Sequence, residues 1–277
     1  MKKLASLKNK NLVIEAIEKN FLEKFIYFIS RIQGMEVVKI NNIFLSNSNL
    51  RSDTFNTAIG GNVKEDNFNK YAKEVRDYFT DKNLPMAWWC GPSSLIGKDN
   101  QILLELGFVN EEMDVCMAAD LENISTGFLS ENSDLDIREA VSKAQIRDFS
   151  YALASVFEPF DDNIMKFYET IASKTLKTSE RMKLYVGYYK DKPVTSACCC
   201  FDGSTAGVYD IATVPSFRGR GFGSYMTYHT LLESKKNGYK IAVLGASEDG
   251  LNIYNRLGFK NLGNFYVYSN KNLVNFS

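Results

Sequence analysis

The sequence predicts an α/β (α+β) chain in two halves, each a mixed, mostly antiparallel sheet flanked by helices. Three observations carry this. Strand-length apolar runs in the second half are separated by turn residues, a strand enters a helix through a glycine-rich turn at 213–224, and a weak internal repeat links the two halves. The repeat is Leu106-Gly107-Phe108 before Val115-Cys116-Met117, against Leu257-Gly258-Phe259 before the last strand.

The elements follow in chain order. Val13, Ala16, Ile17, Phe21, Phe25, Ile26, Phe28 and Ile29 recur at helical spacing and predict an amphipathic first helix. A second stripe at Phe68, Tyr71, Ala72, Val75, Tyr78 and Phe79 follows a loop marked by Gly60-Gly61. Pro85 then opens a short strand, Met86 to Cys90, which ends at Gly91-Pro92. The polar run Glu122 to Asp134 reads as the main linker, placing domains at 1–125 and 135–277 with 126–134 between them.

Beyond the linker, Ile137 begins a strand, and helices are expected around Ile146 to Phe157 and Ile164 to Ile171. Strands follow at 184–189, 194–201 and 207–214, joined by Lys190-Asp191-Lys192-Pro193 and by Asp202-Gly203-Ser204. Asp-Gly is a strong hairpin signal. A helix from Phe222 to Lys236 leads to a strand at 241–244 by one parallel crossover, then a short helix at 250–256 and a final strand at 265–268.

Composition narrows the function. With 277 residues, 45% of them hydrophobic, the chain can bury a substantial core. The 33 basic residues are balanced by 33 acidic ones, which removes the bulk positive field that nonspecific nucleic-acid or acidic-membrane binding uses. No apolar run approaches the roughly 18 residues of a membrane span, and Met1-Lys2-Lys3 leads into polar residues. The expectation is a soluble, unprocessed, cytoplasmic protein without nucleic-acid or membrane partners.

Cys198, Cys199 and Cys200 are consecutive, while Cys90 and Cys116 stand alone, so the five cysteines do not form a disulfide framework and a reducing compartment fits. Strand neighbours point to opposite faces, so the triplet cannot aim three thiolates at one metal. His229 is the one histidine, which argues against a zinc cluster and a Ser-His-Asp hydrolase; no metal is expected. It falls about two turns into its helix and reads as a packed or surface residue. Trp88-Trp89 reads as core or as an aromatic ligand wall.

The chemistry concentrates in Thr213-Val-Pro-Ser-Phe-Arg-Gly-Arg-Gly-Phe-Gly-Ser224. Gly219, Gly221 and Gly223 let the backbone curl and a ligand approach, and the first helical N–H groups lack intrahelical partners. With the helix dipole, Arg218 and Arg220 complete a pyrophosphate cradle. No Gly-Lys-Ser/Thr follows, so this is not a P-loop.

Here the sequence resembles the GNAT superfamily of acetyl-CoA-dependent N-acyltransferases. The family's Arg/Gln-x-x-Gly-x-Gly/Ala loop is matched by Arg218-Gly-Arg-Gly221-Phe-Gly223, and its preceding Val-x-Pro by Thr213-Val214-Pro215. A second family element is matched by Ala246-Ser247-Glu-Asp-Gly250-Leu-Asn-Ile-Tyr254-Asn-Arg-Leu-Gly258-Phe259. The resemblance covers about residues 135 to 270, and the repeat suggests a tandem GNAT whose first half has lost its cofactor loop.

The resemblance implies acetyl-CoA as cosubstrate and a primary amine, on a small molecule or a protein, as acceptor. Ala212, Thr213 and Val214 would line the pantetheine arm where two parallel strands splay, and residues Arg218 to Ser224, Phe222 included, would hold the pyrophosphate. Tyr254 matches the tyrosine that protonates the departing thiolate, or else it packs with its hydroxyl bonded. Asp210 stands where some members place an acid, which removes the proton, binds the substrate cation or sits in solvent. Ser247 replaces a common asparagine and puts that cofactor contact in doubt. In the first half Leu103 falls opposite Tyr254, so one acetyl-CoA site per chain is expected. Two rivals stay open: a GNAT using a longer acyl-CoA, and a noncatalytic CoA-binding or interaction module. The acceptor's identity and the oligomeric state are not legible.

Overall fold

A computed structural model describes residues 3–126, 134–174 and 181–275. Most of the expected 126–134 linker therefore lies outside the described residues. Among the described residues the chain forms seven α-helices and eleven strands. The first half runs α1 (Lys10–Ile29), β1 (Glu36–Ile40), β2 (Ile43–Asn47), β3 (Thr57–Gly60), α2 (Phe68–Thr80), β4 (Ala87–Cys90), α3 (Gln101–Glu105) and β5 (Val109–Asp120). The second runs β6 (Asp136–Glu139), α4 (Lys143–Ala154), α5 (Asp162–Lys174), β7 (Met182–Tyr189), β8 (Lys192–Phe201) and β9 (Ala206–Thr213). It closes with α6 (Phe222–Lys236), β10 (Ile241–Ala246), α7 (Glu248–Leu257) and β11 (Lys260–Ser269). No described helix is long and apolar enough to cross a membrane.

These residues form two compact units, neither continuous in sequence. The first comprises Met1–Lys24, Met117–Leu244 and Asp249–Lys260; the second comprises Phe25–Cys116, Gly245–Glu248 and Asn261–Ser277.

In the first unit the strand order is β10-β9-β8-β7-β6, antiparallel except for β9 and β10. Local chemistry explains its turns. Lys190 and Asp191, at φ 49° and 61°, form a two-residue reversal between Tyr189 and Lys192, the positive φ pair that matches the strand twist. After β8, Asp202 Oδ1 accepts from the N–H groups of Ser204 and Thr205 at 2.7 and 2.8 Å, and Gly203 takes φ 91°. α4 starts in a capping box in which Ser142 accepts from the Gln145 N–H and the Gln145 side chain accepts from the Ser142 N–H. α6 buries Phe222, Met226 and Leu231 together with Thr227, Thr230 and Ser234. Those hydroxyls donate to Gly223 O, Thr227 O and Thr230 O, so the polar residues enter the core already satisfied.

The first unit also takes in most of α1. Asn20 is fully buried, and its amide donates to Cys200 O and Thr205 O, both at 3.1 Å. All five cysteines are buried and free of disulfides, as the adjacent triplet on a strand suggests.

In the second unit the order is β1-β2-β3-β4-β11, antiparallel except for β3 and β4. Its core is built from Ile43, Leu45, Phe68, Val75, Phe79, Trp88, Leu103 and Tyr268. Trp88 is thus core, and Trp89 packs between the rings of Phe25 and Phe265 at 6.0 and 6.3 Å. The strand beside β4 is the last of the chain, with Val267 opposite Trp89 and Tyr268 opposite Trp88.

Candidate functional site

The turn between β9 and α6 is built by its backbone. Pro215 opens a single 3-10 turn in which Phe217 N–H donates to Val214 O at 2.8 Å and Arg218 N–H to Pro215 O at 3.2 Å. Gly219 and Gly221 then take φ 76° and 82°, a region that costs L-residues with a side chain. A Cβ at either position would meet no atom within 4 Å, so the backbone conformation requires glycine and crowding does not.

Gly221 caps α6 without a side-chain bond, and the first helical bond runs from Tyr225 N–H to Gly221 O at 3.0 Å. The N–H groups of Phe222, Gly223 and Ser224 therefore have no intrahelical acceptor and point out of the helix end. They face a cleft of about 690 Å³. Thr213, Arg218, Gly219, Arg220, Gly221, Phe222, Gly223 and Ser224 all line it, which brings together eight of the residues singled out from the sequence. Ala212 and Val214 are buried beside it and do not line it.

The far wall was not legible. α7 contributes Asp249, Ile253 and Arg256, spaced i, i+4 and i+7 on one stripe, and the lining also takes in Phe217 of the turn and Tyr225 of α6. The stripe is visible as a spacing, but which neighbour it faces is a tertiary property. Arg220 is also more than a cation beside the turn: its guanidinium lies 5.2 Å from the Phe217 ring and 5.7 Å from that of Tyr189. Arg218 Nε donates to Thr213 O at 3.4 Å.

Beside the cleft the parallel pair opens. Ala242 stands opposite Ala206 and Val243 opposite Gly207, and the β9–β10 register goes no further. Among the described residues, Val208 to Thr213 of β9 have a strand partner only in β8, which leaves one backbone edge without a strand. The parallel pair thus opens beside the start of α6, whose first N–H groups have no intrahelical acceptor.

Residues 180–261 match the family model of the acetyltransferase (GNAT) domain. The second half of the chain thus contains a stretch similar to the GNAT acetyltransferase domain. The solved structures it resembles include a GCN5-related N-acetyltransferase from Kribbella flavida, with TM-score 0.62 and 16% identity over 91% of this chain and 95% of that one. A conserved protein of unknown function from Staphylococcus epidermidis superposes with TM-score 0.62 at 17% identity, over 86% and 94% of the two chains. A GCN5-related N-acetyltransferase from Sphaerobacter thermophilus gives TM-score 0.58 and 12% identity, over 86% and 82%. At these identities the likeness shows the GNAT fold alone. No curated protein matches the sequence.

Like Ala212 and Val214, the candidate residues Ser247, Tyr254 and Asp210 lie outside the cleft lining. Ser247 is exposed between β10 and α7. Tyr254 is buried on α7, its ring folded back over Gly250 and set edge-on to Phe259 at 5.9 Å. Asp210 sits in a β-bulge, where β9 carries two residues, Asp210 and Ile211, against Ala197 of β8. It takes φ 52° there, and its carbonyl accepts from Ser196 Oγ at 2.9 Å.

The Asp210 carboxylate is held by two elements that sequence reasoning did not bring to it. Lys24 Nζ of α1 lies 3.0 Å from Oδ1, and Tyr168 OH of α5 donates to Oδ2 at 3.3 Å. Burial, with Asp210 beside it, raises the Tyr168 pKa and keeps the phenol a donor. His229 packs edge-on to Tyr185 at 5.1 Å, and burial lowers its pKa. It does not line the cleft.

The first half holds a counterpart of this crossover, β3–α2–β4, with different chemistry. β3 and β4 pair through Thr57–Ala87, Ala58–Trp88 and Ile59–Trp89, so this parallel pair stays closed almost to the end of β3. The connecting turn carries no arginine. Its Glu65 accepts from the side-chain amides of Asn41 and Asn42 at 2.6 and 2.7 Å, placing an acid close to the start of α2. Leu103 is fully buried on α3.

Proposed function

We propose that the protein is an acetyl-CoA-dependent N-acetyltransferase that moves the acetyl group to a primary amine by direct attack. The observation that carries this reading is the α6 start, where three N–H groups without intrahelical acceptors, Arg218 and Arg220 share one cleft beside the open edge of β9. Pyrophosphate is the anion whose size and charge suit that set, and the turn from Arg218 to Ser224 would hold it. The edge formed by Ala212, Thr213 and Val214 would take the pantetheine amides by the backbone bonding that β10 leaves unused.

In the reaction the amine nitrogen forms a bond to the acetyl carbon as the C–S bond breaks. Tyr254 would give its proton to the leaving sulfur, and Asp210 would bind or deprotonate the amine. The family match supports an acyl-CoA donor; free CoA thioesters with longer acyl chains would use the same turn. The first half, with its closed strand pair and Glu65, is read as a GNAT-like domain over 1–125 that has lost the cofactor turn, with the catalytic domain over 135–277. Five buried free thiols favour a reducing compartment such as the cytoplasm.

Calorimetric titration with acetyl-CoA and with CoA tests the reading, run beside an Arg218→Ala, Gly221→Asp double variant. One-to-one binding that the variant loses is expected, followed by thiol release with an amine panel. A folded wild type that binds neither ligand overturns it. The ion pair that occupies Asp210 favours a second reading, a noncatalytic CoA-binding module, which predicts binding without thiol release for any amine.

A further inference from the structure

The Lys24–Asp210 pair says what kind of amine the site accepts. Both side chains are largely buried, 16% and 12% exposed, and Asp210 sits at the bulge in the β8–β9 pairing, on the strand whose other edge β10 leaves unpaired beyond Gly207. Asp210 is therefore on the strand along which the pantetheine arm would lie, two residues before Ala212, and an ammonium already rests against it. Tyr168 holds the second carboxylate oxygen, so the group is fixed from α1, α5 and the bulge together.

An incoming amine that carries only positive charge has to take Asp210 from Lys24 and then sit against the Lys24 ammonium. In a partly buried setting this like-charge contact and the loss of an ion-pair partner are both unfavourable. A zwitterion meets neither penalty. Its ammonium takes the Asp210 carboxylate while its own carboxylate takes the Lys24 ammonium, so every charge keeps an opposite neighbour. The two heads of the resident pair are 3.0 Å apart, and a ligand that bears its ammonium and its carboxylate on one carbon can insert there with a small separation of the pair.

We infer that the acceptor is an α-amino acid, held by Asp210 through its ammonium and by Lys24 through its carboxylate. This rests on the N-acetyltransferase reading above. The bound ammonium loses one proton to solvent, and its nitrogen then bonds to the acetyl carbon as the C–S bond breaks. The second proton passes to Asp210, the sulfur takes a proton from Tyr254, and both side chains re-equilibrate with solvent, giving an N-acetyl amino acid, CoA and one net proton.

The test uses the full chain, with acetyl-CoA binding first established by calorimetry. Thiol release is measured with the twenty amino acids, their carboxamides and 1,4-diaminobutane, for wild type, Lys24→Met and Lys24→Arg. At least one amino acid should be acetylated, and its carboxamide should fall on the order of 10- to 100-fold in kcat/KM. Lys24→Met should lose that preference without a change in acetyl-CoA affinity, and Lys24→Arg should retain it. Carboxamides or the diamine used as well as the amino acids would overturn the inference, as would an acetyl-CoA-binding protein that acetylates no amino acid, or a Lys24→Met variant with the preference intact. Should Lys24→Met not fold, the wild-type comparison of acid with carboxamide decides. Absence of acetyl-CoA binding is the separate failure of the parent reading.

Discussion

Tyr209 donates its phenol proton to Oδ1 of Asn20 at 2.9 Å, joining β9 to a helix at the other end of the chain. The same amide bonds Cys200 O and Thr205 O, so Asn20 uses both of its ends in a site closed to water. Leucine fills similar space but leaves two carbonyls and a phenol without this partner. Asn20→Leu should therefore lower the unfolding free energy by about 2 to 4 kcal/mol, read from the urea midpoint.

Gly221 stands at φ 82° in open space, which separates two effects of substitution. Alanine there should cost about 1 to 2 kcal/mol of stability from backbone conformation alone. The methyl group also lies where a phosphate would approach the α6 N–H groups. Calorimetry should show CoA affinity reduced on the order of tenfold or more, beyond what the loss of stability explains.

The Tyr254 ring covers Gly250, and a Cβ at Gly250 would lie 2.7 Å from its Cε2. Gly250→Ala must move the ring, while Tyr254→Phe keeps the ring and deletes the proton. If Tyr254 is the acid, both variants should lower kcat, the phenylalanine by on the order of 10²-fold, with CoA affinity little changed. Equal turnover in wild type and Tyr254→Phe would assign the tyrosine to packing.

Asp114 lies near Gly245 and the Phe265 ring, and burial, with Glu112 adding repulsion, pushes its pKa up from 3.8 to about 6. A carboxyl with a raised folded pKa binds its proton more tightly in the folded state, so stability falls as pH rises between about 4 and 6. Asp114→Asn should raise the unfolding free energy at pH 7.5 by on the order of 1 to 2 kcal/mol, read from urea unfolding, and change it little at pH 4. A shift of equal size at both pH values would exclude the carboxyl charge as the cause.

Much of the second half was legible because its signals are local. The α6 boundaries, the two hairpin turns and the glycine turn follow from periodicity and from residues that tolerate positive φ, which act within a few positions of themselves. The same argument left β1, β2 and β3 unassigned. These strands are four or five residues long and their runs are interrupted by Asn, Ser and Lys, too little pattern to distinguish from loop.

By itself the sequence determined the crossover, the turn and the residues able to face an anion. Tertiary structure alone decided that α1 leaves the first half to pack on β8 and β9, that β11 pairs with β4, and that Arg256 and Ile253 close the cleft. It also decided that Lys24 meets Asp210. A strand edge or a buried carboxylate is satisfied by whichever partner geometry brings near, and no short-range pattern records which distant segment that will be.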